Sequence, residues 1–137
     1  MPLVLDTSVT MSWAFGEIDL YAAHIPELLA ADEALVPPIW ALEVANTILV
    51  GERRGRLDQA ASTRFLSLLQ GLDIVVDMAG AERFLTVVLG LARAQSLSSY
   101  DASYLELAMR DGVPLATTDD ALRAAAARVG VPLVAGP

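Results

Sequence analysis

Short apolar runs alternate along this chain with longer segments whose apolar residues recur every three or four positions. Val4 to Asp6, with Leu3 before them, read as a short buried strand. Ser8 is the expected N-cap of a helical stretch running to about Phe15, where Gly16 ends it. Residues from about Leu20 to Ala31 carry helical spacing, and Ala34-Leu35-Val36 form a second strand. Pro37-Pro38 stop that strand and open a helix from about Ile39 to Arg54. Gly55 breaks it, and Asp58 caps a helix to about Gln70. Asp73 to Val76 is a third strand, followed by a strongly apolar helix from about Ala79 to Ala94. After the turn Gln95-Ser96-Leu97-Ser98, Ser98 or Ser99 caps a helix through Arg110, which Asp111-Gly112 closes. Val113 to Thr117 is a fourth strand, about Asp119 to Val129 the last helix, and Val131 to Val134 a short fifth strand. Gly112-Val113-Pro114-Leu115 and Gly130-Val131-Pro132-Leu133 use the same helix-stop, strand-start device.

Strands alternating with helices predict an α/β domain with a mostly parallel sheet. Such a sheet binds ligands beyond the carboxyl ends of its strands. At 137 residues the chain has the size of one domain with a real core.

Composition narrows the chemistry. A hydrophobic share of 55% argues against disorder, yet no apolar run is long enough to span a membrane without charge, Gly or Pro. The start, Met1 to Asp6, lacks the basic flank of a signal peptide, so a cytoplasmic location is expected. There is no cysteine, hence no disulfide, thiolate nucleophile or zinc-finger site. All nine basic side chains are Arg, which rules out lysine-dependent mechanisms such as a Schiff base or a P-loop. The net charge of −8 argues against nucleic-acid binding over the whole surface, though not at one local basic patch, and suits a basic partner.

Four acids stand out against this apolar background: Asp6, Glu43, Asp101 and Asp119. Asp6 and Asp119 follow predicted strands and so fall in the crevice. Asp101 opens a helix, and Glu43 lies within one on a stripe with Asn46 and Thr47. Each has an ordinary explanation by itself. Asp6 is a turn former, Glu43 faces water, and Asp101 and Asp119 complement a helix N-terminus, where Asp120 would serve as well. Together they form a set that must gather a cation, because unpaired buried charge is costly. Hard divalent ions take oxygen ligands, so an ion such as Mg²⁺ is the expected cofactor, with Ser8, Asn46 and Thr117 orienting the acids. Arg53, Arg54 and Arg56 make a small basic cluster, either complementing a helix C-terminus or touching phosphate. His24 is isolated, and Trp13, Trp40 and Tyr104 read as core or interface aromatics.

The segments Val4-Leu5-Asp6-Thr7-Ser8, Glu43-Val44-Ala45-Asn46, Tyr100 to Ala108 and Leu115-Ala116-Thr117-Thr118-Asp119 resemble the PIN-domain pattern, in the form found in VapC-type toxins. Trp13 and Arg54-Gly55-Arg56-Leu57 resemble that group too. The resemblance spans residues 1–137 and implies a single domain, a five-stranded parallel sheet and helices on both faces. It also implies Mg²⁺- or Mn²⁺-dependent endoribonuclease activity, with Asp6, Glu43, Asp101 and Asp119 as the acidic cluster. A homodimer neutralised by a small VapB-like antitoxin is the implied assembly, with RNA as substrate. Two other readings stay open at this point: an RNA-processing nuclease without an antitoxin, and a binding module that does not cut.

Overall fold

The computed structural model describes residues 1–137. Four strands form one parallel sheet: β1 (Leu3–Leu5), β2 (Ala34–Val36), β3 (Ile74–Val76) and β4 (Leu115–Ala116), in the order β3-β2-β1-β4. β1 is central and its Val4 and Leu5 are wholly buried, as a run without a polar residue requires. It pairs with β2 on one side and β4 on the other. β3 is an edge strand, and its Val75 and Val76 remain exposed.

The helices are α1 (Thr7–Ala14), α2 (Leu20–Leu29), α3 (Trp40–Arg53), α4 (Gln59–Gln70), α5 (Ala81–Arg83), α6 (Leu89–Gln95), α7 (Ser99–Asp111) and α8 (Asp120–Val129). Between α5 and α6 the chain makes a π turn, Phe84–Val88, so the predicted helix from Ala79 to Ala94 is one rod with a widened turn inside it. Crossovers from β1 to β2 and from β2 to β3 run one way along the sheet, and that from β3 to β4 runs back. With right-handed crossovers, α1 to α4 therefore cover one face and α5 to α7 the other. The contacts agree: α1 packs on α3 and α4, while α7 packs on β1, β4 and α8. The largest core cluster joins both layers through Val9, Ile25, Ile48, Tyr104, Leu105 and Leu122.

Two expectations need correction. The sheet has four strands, not five. Residues 131–134 add only an isolated bridge, Leu115 to Leu133, closed by two backbone bonds: the Leu115 amide to the Pro132 carbonyl and the Val134 amide to the Leu115 carbonyl, both 2.9 Å. Pro132 has no N–H to extend the ladder, and β4 offers only two residues to pair with. The N-cap of α1 is Asp6 rather than Ser8: its carboxylate accepts from the Ser8 amide. Asp58, Ser98 and Asp119 cap α4, α7 and α8, and Gly112 and Gly130 end α7 and α8 in the left-handed conformation that glycine adopts without strain. No helix is long and apolar enough to cross a membrane.

Candidate active site

The strand order reverses at β1. The chain leaves β1 toward β2 and returns on its other side at β4, so a crevice opens beyond the ends of these two strands. Asp6 and Asp119 stand there, each capping the helix that follows its strand. Glu43 in the first turn of α3 and Asp101 in the first turn of α7 approach from opposite layers. The charges of Asp6, Asp119 and Glu43 all bear on Asp101, so the four acids share one field.

Asp6 is 4% exposed. Its Oδ2 accepts from the Ser8 hydroxyl at 2.6 Å, the Thr117 hydroxyl at 2.8 Å and the Ser8 amide at 3.4 Å. Ser8 and Thr117 in turn accept the amides of Thr118 and Asp119 at 3.0 and 3.1 Å. Each hydroxyl thus spends its single proton on Asp6 and its lone pair on the chain beyond β4. Burial raises the Asp6 pKa, and the bonds from Ser8 and Thr117 pull it back. Asp101 is half-buried, and burial followed by the charges of Asp6, Asp119 and Glu43 pushes its pKa up to about 6.

Glu43 is held differently. Its Oε1 accepts from the Tyr104 hydroxyl and lies 3.1 Å from the Thr7 hydroxyl. The Thr7 and Tyr104 oxygens are 2.6 Å apart. Sequence reasoning missed both residues in this role. Thr7 was a neighbour of Asp6, and Tyr104 an aromatic with the fully buried place that its ring does occupy. A signal was available: Tyr104 lies three positions after Asp101 on one helix, hence on the same face.

The residues present fit a hard divalent cation. Asp6, Glu43 and Asp119 are each held through one carboxylate oxygen, leaving Oδ1, Oε2 and Oδ1 without a hydrogen-bond partner in the chain. Every donor is oxygen, and no Arg pairs with any of the four. No three acids close into a metal-holding cage by themselves. Mg²⁺ usually takes one or two protein carboxylates and keeps several waters, so it does not require a closed set of acids.

Other expected residues fall outside the cluster. Asn46 is exposed one turn beyond Glu43 on α3 and is bonded to none of the acids. Arg53, Arg54 and Arg56 are exposed at the far end of α3, about 16 Å along the helix from Glu43. Arg56 stacks over the Phe15 ring at 4.1 Å. Arg123, which drew no attention in the sequence, gives Nη1 to the Thr117 carbonyl at 2.7 Å and so braces the end of β4. Trp13 and Trp40 are structural: their indole N–H groups donate to the Ala22 carbonyl at 2.6 Å and the Thr10 hydroxyl at 3.2 Å. An apolar groove of about 440 Å³ adjoins the site, lined by Pro37, Pro38, Leu42, Leu85, Val88 and Tyr100.

The family model described as the PIN domain matches residues 3–128. The chain belongs to the PIN-domain family. PIN domains are in general nucleases acting on nucleic acid. Among solved structures, PAE2754 from Pyrobaculum aerophilum is similar at 26% identity and a TM-score of 0.69, covering 91% of this chain and 79% of that one. VapBC2 from Rickettsia felis, solved bound to a DNA fragment from its promoter, is similar in fold at 16% identity and a TM-score of 0.67, each chain covered completely. No curated protein sequence matches.

Proposed function

We propose that this PIN domain is a metal-dependent endoribonuclease, the toxin of a VapBC-type toxin–antitoxin pair acting in the cytoplasm. The observation that carries the nuclease reading is the convergence of four acids on one crevice with no arginine among them. Asp6, Glu43, Asp101 and Asp119 would hold Mg²⁺ or Mn²⁺. When bound, such an ion polarises a phosphoryl oxygen and eases deprotonation of an attacking water. Ser8 and Thr117 keep the Asp6 carboxylate from rotating, and its burial keeps bulk water away from that face. Burial and the charges of Asp6, Asp119 and Glu43 push the Asp101 pKa up, and a bound cation would relieve that repulsion.

The toxin reading draws on the likeness in fold to VapBC2. A net charge of −8 suits a basic antitoxin segment. Exposed Leu42, Leu85, Val87 and Tyr100 beside the apolar groove suit a protein contact, with a homodimer or the antitoxin as its occupant. Arg53, Arg54 and Arg56 would meet RNA phosphates away from the scissile bond.

The test is cleavage of mixed tRNA and ribosomal RNA by the purified chain with Mn²⁺, Mg²⁺ or EDTA, with Asp6→Asn as the contamination control. Discrete fragments that need both metal and Asp6 are expected. No cleavage from folded, antitoxin-free protein would overturn the nuclease reading.

A further inference from the structure

Tyr104 is a core residue by burial, 0% exposed, yet its hydroxyl ends on a carboxylate of the crevice. Its Oη touches Glu43 on α3 and Thr7 on α1, while Tyr104 itself is on α7 three residues after Asp101. One hydroxyl thereby ties together three of the four acid-bearing segments: the start of α1 beside Asp6, Glu43 on α3, and α7, which carries Asp101. Ser8 and Thr117 do the same between Asp6 and Asp119.

Proton bookkeeping gives the contact a direction. Two hydroxyl protons serve three close contacts among Thr7, Tyr104 and Glu43. The phenol is the stronger acid of the two and has the shorter contact with Glu43, so its proton goes to Oε1. Thr7 then gives its proton to the Tyr104 oxygen at 2.6 Å rather than to Glu43 at 3.1 Å. The chain Thr7 to Tyr104 to Glu43 consumes only Oε1 and points the carboxylate with Oε2 unengaged.

We infer that Tyr104, backed by Thr7, is a positioning residue that fixes the Glu43 carboxylate for cation binding. This rests on reading Glu43 as one of the cation-holding acids. Tyr104 touches neither the reacting atoms nor the ion; it acts through Glu43. Loss of such an outer partner typically lowers metal affinity about 10–100-fold.

The experiment is calorimetric titration of the whole chain with Mn²⁺, for wild type, Tyr104→Phe, Thr7→Val, Thr7→Ser, Glu43→Gln and the Tyr104→Phe/Glu43→Gln pair. Tyr104→Phe should weaken Mn²⁺ binding about tenfold or more. Thr7→Val should weaken it less, and Thr7→Ser, which keeps the hydroxyl, should restore it. In the Glu43→Gln background, removing the phenol hydroxyl should change nothing further. A core control such as Leu107→Val separates simple loosening, because it lowers the melting temperature without moving Mn²⁺ affinity. If Glu43→Gln weakens binding while folded Tyr104→Phe and Thr7→Val bind as wild type does, the positioning role is overturned. If wild type and Glu43→Gln bind Mn²⁺ alike, the reading of Glu43 itself falls, and the positioning role with it.

Discussion

Helix α7 carries two acids treated in opposite ways. Glu106 is buried and receives Nε of Arg83 and both Nε and Nη2 of Arg110, while Arg110 also grips Asp77 through two bonds of 3.0 and 2.7 Å. Asp101, five positions earlier, faces three more acids and no arginine. The pKa directions follow. Arg110 holds Asp77 below the ordinary carboxylate range, whereas burial and like charge push Asp101 up to about 6. An acid that serves the fold is neutralised from within the chain. An acid left to its neighbours' repulsion is what the proposed cation site calls for. The comparison separates stability from chemistry on a single helix.

Removing each acid should break the comparison cleanly. Asp101→Asn is expected to lower metal-dependent RNA cleavage by more than the 10–100-fold typical of outer-shell losses. Its melting temperature in EDTA should be unchanged or higher, since a like charge has gone. Retained activity in this variant would sink the site assignment. Glu106→Gln should do the reverse, costing about 1–3 kcal/mol in denaturant unfolding, discounted because Arg83 and Arg110 are partly exposed. Its cleavage rate per folded molecule should match wild type; a large rate loss would tie the ion pairs to catalysis.

Acidity sharpens the contrast. The folded pKa of Asp101 lies above the ordinary carboxylate value of 3.8, so between about 4 and 6 the folded chain binds more protons than the unfolded one. That contribution to stability is present at low pH and is lost as pH rises toward 6. For Asp77 the folded pKa is depressed, so its contribution is present above the ordinary range and lost as pH falls below 3.8. Melts in EDTA should therefore show the Asp101 region weakening from about pH 4.5 to pH 7. Mn²⁺ should raise the melting temperature more at the upper pH, where the acids are ionised. An equal shift at both would argue against carboxylate ligation. The smallest effect is expected from Arg53, Arg54 and Arg56. Replacing all three with Ala should leave the maximal cleavage rate alone, raise KM modestly and flatten its salt dependence. A collapse of the maximal rate would bring them into the site.

Four strands and the caps Asp58 and Ser98 were readable because short apolar runs ending in Asp, Ser or Gly have few other structures available, whereas Ser8 was taken for the α1 cap that Asp6 supplies. Asp6, Asp101 and Asp119 stand out in the sequence as polar residues at element boundaries, and Glu43 as an acid within an apolar helix. The fifth strand was misread because Gly130-Val131-Pro132-Leu133 looks like Gly112-Val113-Pro114-Leu115. What differs is the neighbour: β4 has β1 beside it, and residues 131–134 have only the two residues of β4. The Thr7–Tyr104 contact joins positions 97 apart through one hydroxyl, and no periodicity records such a pair. Arg53, Arg54 and Arg56 drew attention as a cluster of like charges in sequence, yet helix length carries them away from Glu43.

The π turn Phe84–Val88 bears on the length of the chain rather than its chemistry. A π turn closes five residues back, so residues five apart share a side, whereas in an α-helix they lie about 140° apart. Arg83 and Val88 are such a pair: the first bonds Glu106 and the second packs in a cluster with Ala102, both on α7. Leu85, Thr86 and Val87, all exposed, thus include one residue more than a plain α-helix would need to make both contacts. A chain lacking Thr86 should wind into regular α-helix there, keep Arg83 and Val88 on one face, and melt no lower than its parent. By that reasoning this exposed turn is where the helix can gain or lose a residue without disturbing its grip on α7.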